Sequence, residues 1–139
     1  MAEILFFDAR RRFEEKNVNF SALDNLDSGK VCVAATVQYL DLVEPVVKYL
    51  RGGGREVVTK KGAFYEAHSI GCNASAFDLE SDVLLLLADG VFHAINNSVL
   101  VNREINVFDS FSLLKVGGED IEKYRRRTEA KRKKFLGAE

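Results

Sequence analysis

The sequence predicts one α/β domain: a three-layer fold with a mainly parallel sheet and helices on both faces. Three observations carry this. Apolar runs at 30–36 (KVCVAAT) and 82–88 (DVLLLLA) have strand length and no polar alternation, as expected for strands buried on both faces. Between such runs lies helical spacing, with Tyr39, Val43, Val46, Val47 and Leu50 on one stripe. Glycines punctuate the pattern, most clearly at Gly52-Gly53-Gly54. Strand, helix, glycine turn and a further strand at 55–60 make a βαβ unit with a parallel pair.

The remaining elements follow in order. Residues 3–7 (EILFF) read as a first strand, and 10–19 as a loop or irregular turn. Residues 21–26 suit one or two helical turns with Ser21 as N-cap, stopped by Gly29. Residues 38–50 form the first long helix; its Pro45 belongs near the first turn or kinks it. Residues 64–76 lack a clean period and read as a loop with a short strand. Asp89-Gly90 turns the chain after 82–88, 92–100 reads as a short helix, and 104–108 (EINVF) as another strand. Residues 119–136 read as a charged C-terminal helix with a narrow apolar stripe. The strands at 30–36 and 82–88 should be central, flanked by 55–60 and 104–108.

Composition bounds the function. A chain of 139 residues suits a single domain over 1–139 with a real core. A net charge of −1 supplies no global field for nucleic acid or an anionic membrane. The C-terminal helix is basic (Lys123, Arg125, Arg126, Arg127, Lys131, Arg132, Lys133, Lys134), but four acidic residues, Glu119, Asp120, Glu122 and Glu129, dilute it. A solvated helix face is the better reading than an RNA or acidic-partner site. The longest apolar run, 83–88, has six residues, against about 20 for a bilayer span. The N-terminus lacks the marks of a secretory signal, so a cytoplasmic location is expected. Cys32 and Cys72 are then reduced thiols, and their separation rules out zinc-type spacing.

Polar residues gather where the strands end, at Thr36, Asp89-Gly90 and Asp109. In open parallel sheets the ligand crevice lies beyond the carboxyl ends of the strands, although turns are polar in any case. Cys72 sits in a loop beside Gly71, where a thiol is accessible to a metal or oxidant. Cys32, between Val31 and Val33, reads as core. His93 follows the buried strand and suits an anionic ligand at a helix N-terminus, or a capping role. His68 precedes Cys72 by four residues and is a weak candidate to pair with it. No GxGxxG or Walker A motif is present, and the Gly52-Gly53-Gly54 run follows a helix, the wrong place for a phosphate loop.

The order of these pieces is more specific than any one of them. Ala35-Thr36-Val37-Gln38-Tyr39 closes a strand and opens a helix. Ile70-Gly71-Cys72-Asn73-Ala74-Ser75 fills the next loop. Asp89-Gly90-Val91-Phe92-His93 follows the apolar strand, Phe108-Asp109-Ser110-Phe111 closes the last one, and an arginine-rich helix ends the chain. Over residues 30–134 this series resembles the middle domain of the diphthamide synthesis family, the archaeal 2-(3-amino-3-carboxypropyl)histidine synthase. The resemblance implies a transferase of the radical S-adenosylmethionine type. Its three similar domains each give one cysteine to a 4Fe–4S cluster. The cluster binds S-adenosylmethionine, and a 3-amino-3-carboxypropyl group goes to a histidine of translation elongation factor 2.

By that resemblance Cys72 matches the middle-domain cluster ligand. Gln38, Asn73, Gly90, His93 and Asp109 match motif positions around the family's site. The chain departs from the family at Ala94, where proline is usual after Phe-His, at Asp109-Ser110-Phe111 in place of DPY, and at Glu66-Ala67-His68 in place of PGQ. Two of the three expected cluster cysteines are missing. The expected partners are therefore chains that supply the missing domains and cysteines, with elongation factor 2 as substrate; a homo-oligomer is also compatible. No stable cluster and no transferase activity are expected of the chain alone. The alternative is a non-catalytic relative that kept the fold and binds a ligand or partner. A natural small protein, a split subunit and an excised domain all fit the sequence, and Met1 suits the first.

Overall fold

The computed structural model describes residues 11–70, 73–117, 122–123, 126–127 and 129–131. Its centre is a five-stranded sheet of order β2-β1-β3-β4-β5, with β1 Val31–Ala35, β2 Val57–Val58, β3 Val83–Leu87, β4 Ile105–Phe108 and β5 Leu113–Val116. The first four run parallel and β5 is antiparallel to β4. Every residue of β1, β3 and β4 is buried, as the unbroken apolar runs require.

The two-residue period of the strands sorts their side chains to two faces. Val31, Val33 and Ala35 of β1, with Leu85, Leu87 and Phe108, face one core layer. Against it pack α1 (Val43–Gly52), through Val46 and Leu50, and the 3-10 turns Phe20–Asn25 and Val37–Leu42. Cys32, Ala34, Leu84, Leu86, Ile105 and Val107 face the other layer, covered by α2 (Phe92–Val101) and the 3-10 turn Ser75–Phe77. The sheet is thus the middle of three layers.

Several elements differ from the sequence reading. The 38–50 helix is a 3-10 segment, Val37–Leu42, followed by α1. Pro45 is the third residue of α1, in its first turn, as the sequence suggested. Ser21 is not an N-cap: the turn it lies in starts at Phe20, and its hydroxyl donates to Asn19 Oδ1 at 2.7 Å. The 55–60 strand shrinks to Val57–Val58. Arg55 is drawn away, donating to the carbonyls of Leu26 and Asp27 at 2.6 Å each, and the chain reverses just after Val58. The antiparallel strand β5 was not anticipated.

The strand expected at 3–7 lies outside the described residues. Of the 119–136 helix, residues 122–123, 126–127 and 129–131 are described and are helical. Among the described residues no helix is long and apolar enough to cross a membrane.

Candidate functional site

The strand order creates a switch point between β1 and β3. From β1 the chain leaves over the α1 face toward β2; from β3 it leaves over the α2 face toward β4. The two connections part above adjacent carboxyl ends, the place where open α/β sheets put their ligand crevice. Register puts those ends level: Ala35 lies beside Leu87, and Leu87 beside Phe108. Thr36 N–H donates to Leu87 O at 3.1 Å, and Ala88 N–H to Phe108 O at 3.2 Å.

The candidates distribute around this edge. Gln38 follows β1 and is exposed; its carbonyl accepts from Arg11 N–H at 2.8 Å. Gly90 follows β3 at φ +78°, a left-handed conformation that favours glycine. His93 lies in the first turn of α2, edge-on to Phe92, with no hydrogen-bond partner at its buried Nδ1 among the described residues. Among the described residues no side chain caps the start of α2, where the first N–H groups and the positive end of the dipole suit a ligand or water.

Asp109 follows β4, but its carboxylate is occupied locally. Oδ1 accepts from the N–H groups of Phe111 at 2.9 Å and Ser112 at 2.8 Å, closing the turn into β5. Burial pushes this carboxyl up. The hydrogen bonds from Ser112 and Phe111 outweigh that, and the net shift is downward. Asn73 likewise bonds within its own loop, Oδ1 accepting from Ser75 N–H at 3.0 Å. It sits lower on the flank of α2 than His93 and lines a cleft of about 700 Å³ with Leu100 and Arg103. The structure therefore brings Gln38, Gly90, His93 and Asp109 to one edge and places Asn73 to the side.

Cys72 lies outside the described residues, but its flanks do not. Ala35 pairs with His68, accepting from Ser69 N–H at 2.8 Å and donating to Ala67 O at 2.7 Å. The chain thus leaves the end of β1 as Ser69-Ile70 and returns at Asn73. His68 is buried, with the rings of Phe64 and Tyr65 tilted against it at 5.8 and 5.3 Å. Cys32 is core: fully buried, its Sγ 3.3 Å from Ala76 O, its thiol pushed up to about 11 by burial.

Sequence reasoning missed Arg11 and Tyr39 as edge residues. Arg11 Nη1 donates to the Tyr39 hydroxyl at 3.2 Å. Burial raises that phenol, the charges of Asp89 and Asp109 raise it further, and Arg11 opposes them. Tyr39 had been assigned to the helical stripe, and nothing local links it to a residue 28 positions earlier. A separate cleft of about 520 Å³ opens at the amino ends of the strands, beside Lys30, Arg55 and Asp82. Lys30 pairs there with Glu56 at 3.6 Å and Arg55 is held by backbone carbonyls, and the cleft lies at the opposite end of the sheet from the switch point.

A family model described as "Putative diphthamide synthesis protein" matches residues 2–138. The chain belongs to the diphthamide synthesis family. Solved structures agree in fold. The crystal structure of Dph2 from Pyrococcus horikoshii superposes with a TM-score of 0.69 at 21% identity, over 81% of this chain and 33% of that one. The same protein with a 4Fe-4S cluster gives 0.69, 21%, 81% and 34%. This diphthamide-family chain therefore spans about a third of the length of the Dph2 chains it matches. A search of curated proteins found no match.

A cubane cluster is held by several cysteine thiolates. Cys32 cannot serve, because its thiol is inside the sheet layer and held protonated. Among the described residues, no three His, Cys, Asp or Glu side chains are grouped to hold a metal ion. The described residues alone do not supply the ligands of a cluster.

Proposed function

We propose that this chain serves diphthamide synthesis as one α/β unit of a larger assembly, equivalent to the middle domain of the family's enzyme. The observation that carries this reading is the shared carboxyl edge of β1, β3 and β4. Gln38, Gly90, His93 and Asp109 follow those strand ends, and the segment bearing Cys72 leaves from the end of β1. In the finer form, Cys72 is one thiolate ligand of a 4Fe–4S cluster whose other ligands come from partner chains. The assembly transfers the 3-amino-3-carboxypropyl group of S-adenosylmethionine to a histidine of elongation factor 2. The family match, the likeness to a cluster-bearing protein, and coverage of only a third of it all support this.

Within the site, the free start of α2 and the unpartnered Nδ1 of His93 suit a polar or anionic group of the donor. Gly90 lets the backbone approach it closely. The test is anaerobic reconstitution, with iron and sulfide measured per chain, alone and with candidate partner chains, followed by labelling of elongation factor 2. The chain alone is expected to hold no stable cluster and to label nothing. Robust turnover by the chain alone would overturn the proposal.

One observation favours the alternative of a non-catalytic relative: the Asp109 carboxylate is committed to its own turn rather than offered to a ligand. That reading expects the chain to bind S-adenosylmethionine or a partner in calorimetry while no combination with partner chains gives turnover.

A further inference from the structure

The two edges of the sheet are finished differently. On the β2 side the main chain is closed. Val31 N–H donates to Glu56 O at 2.9 Å, so by alternation the main chain of Val57 faces outward. Val57 O accepts from Arg51 Nη2 at 2.9 Å. Beyond Val58 the place beside Ala35 is taken by residues 67–69. Their outward groups are occupied too: His68 O accepts from Ala63 N–H at 2.8 Å, and His68 N–H donates to Tyr65 O at 3.1 Å.

The β5 side is open. Phe108 O accepts from Ala88 N–H at 3.2 Å, so the main chain of Phe108 faces β3 rather than β5. Leu113, opposite Phe108, therefore turns its own N–H and C=O outward, and so does Lys115 two residues on. Among the described residues no hydrogen bond reaches these main-chain groups. Such an edge is a template for another strand. Leu114 adds an apolar face. It is 52% exposed and shares the α2 side of the sheet with the buried Val116. Lysine on an edge ordinarily discourages pairing. Here Lys115 Nζ is held by Asp27 at 2.8 Å and Glu104 at 3.9 Å, so its charge is matched within the chain.

We propose that the free edge of β5 pairs antiparallel with β5 of a second copy of this chain, across a two-fold axis at Leu114. In that register Leu113 of each copy lies opposite Lys115 of the other, and each such pair exchanges both main-chain hydrogen bonds. Leu114 lies opposite Leu114, so each covers the other's exposed side chain. Symmetric pairing at Lys115 instead would set like charges opposite each other, which is unfavourable. Symmetric pairing at Leu113 would carry Lys115 past the strand to Phe111. One patch thus serves both copies, and the two sheets join into one. The interface is small, so the dimer is reversible and grows with concentration. The edge is a side of the sheet rather than its carboxyl end, and the inference stands independently of the diphthamide reading.

The full chain is followed by sedimentation velocity over a dilution series. The wild type is expected to move toward twice the mass of one chain as concentration rises. Leu114→Lys puts like charges on the axis, and Lys115→Pro removes an outward N–H without touching a bond to β4. Both are expected to stay monomeric with the circular dichroism spectrum of the wild type. Leu114→Cys gives a positive readout. Opposed residues at a non-hydrogen-bonded pair lie about 4.5 Å apart at Cα, within the disulfide range of about 4.4–6.8 Å. Mild oxidation should link two copies through position 114, identified by peptide mass spectrometry. Leu100→Cys, at a comparably exposed site on α2, should not link through position 100. A wild type of one-chain mass at every concentration overturns the proposal. So does a dimer that Leu114→Lys leaves intact, or one that position 114 does not cross-link. Should the lysine or proline variant fail to fold, the Leu114→Cys cross-link decides.

Discussion

Burial at β1 removes Cys32 from chemistry, and two measurements follow. Cys32→Ser places a hydroxyl in the sheet interior and should cost about 1–3 kcal/mol in urea unfolding. Ionisation adds a pH signature. The folded thiol titrates at about 11 against an ordinary 9.0, so between these values the unfolded chain has released a proton that the folded chain keeps. Stability therefore falls as pH rises through that window, relative to Cys32→Ala. Asp109 has the opposite sign. Its depressed folded value means that its contribution is present above the ordinary 3.8 and is lost as pH falls through the folded value. Asp109→Ala should cost about 1 kcal/mol at neutral pH, and the difference from wild type should shrink in acid as the carboxylate is protonated. Cys32 was legible as core because Val31 and Val33 flank it. Ser69 and Asn97, buried and hydrogen-bonded to each other, were not, since their pairing exists only once α2 lies on the sheet.

Between β2 and the Cys72 segment, residues 60–68 form a compact reversal. Ala67 N–H donates to Lys60 O at 2.8 Å and Gly62 N–H to Tyr65 O at 2.9 Å. Gly62 fits because nothing projects from its Cα: a Cβ there would lie 1.8 Å from the His68 carbonyl oxygen. Gly62→Ala must displace backbone at the point where His68 joins β1, and a loss above about 3 kcal/mol is expected in thermal unfolding. This reversal is why the 55–60 strand was overestimated: Thr59 and Lys60 have strand-like neighbours, yet Thr59 bonds Glu66 at 2.7 Å within the loop instead. β5 escaped notice for a related reason. The turn before it is closed by the Asp109 carboxylate, with Ser110 at φ +85°, and no glycine or proline announces it. The central strands, α1 and α2 were readable because burial on both faces and helical stripes leave strong local patterns.

As a whole, the molecule pairs a readable scaffold with a candidate edge whose described residues do not by themselves hold a metal cluster. Motif order identified the family where no single residue would have done so, and of the two cysteines in the sequence only Cys72 lies in a motif loop. The same count gives an expectation for the assembly: Cys72→Ser should abolish its iron content while the chain's own melting temperature stays within about 2–4 °C. The closing contacts of the fold also have a consequence for its synthesis. Asn19 Nδ2 reaches Phe111 O across 92 positions, and Lys115 reaches Asp27 across 88. β1 leaves the ribosome well before its neighbour β3, and the β4–β5 edge comes later still. At ordinary translation speeds the span from Asp27 to Lys115 takes roughly 4–18 s to emerge. Until β3 emerges, an apolar strand lacks one of its two neighbours, so survival of the nascent chain depends on how well β1 is shielded before the rest of the sheet arrives.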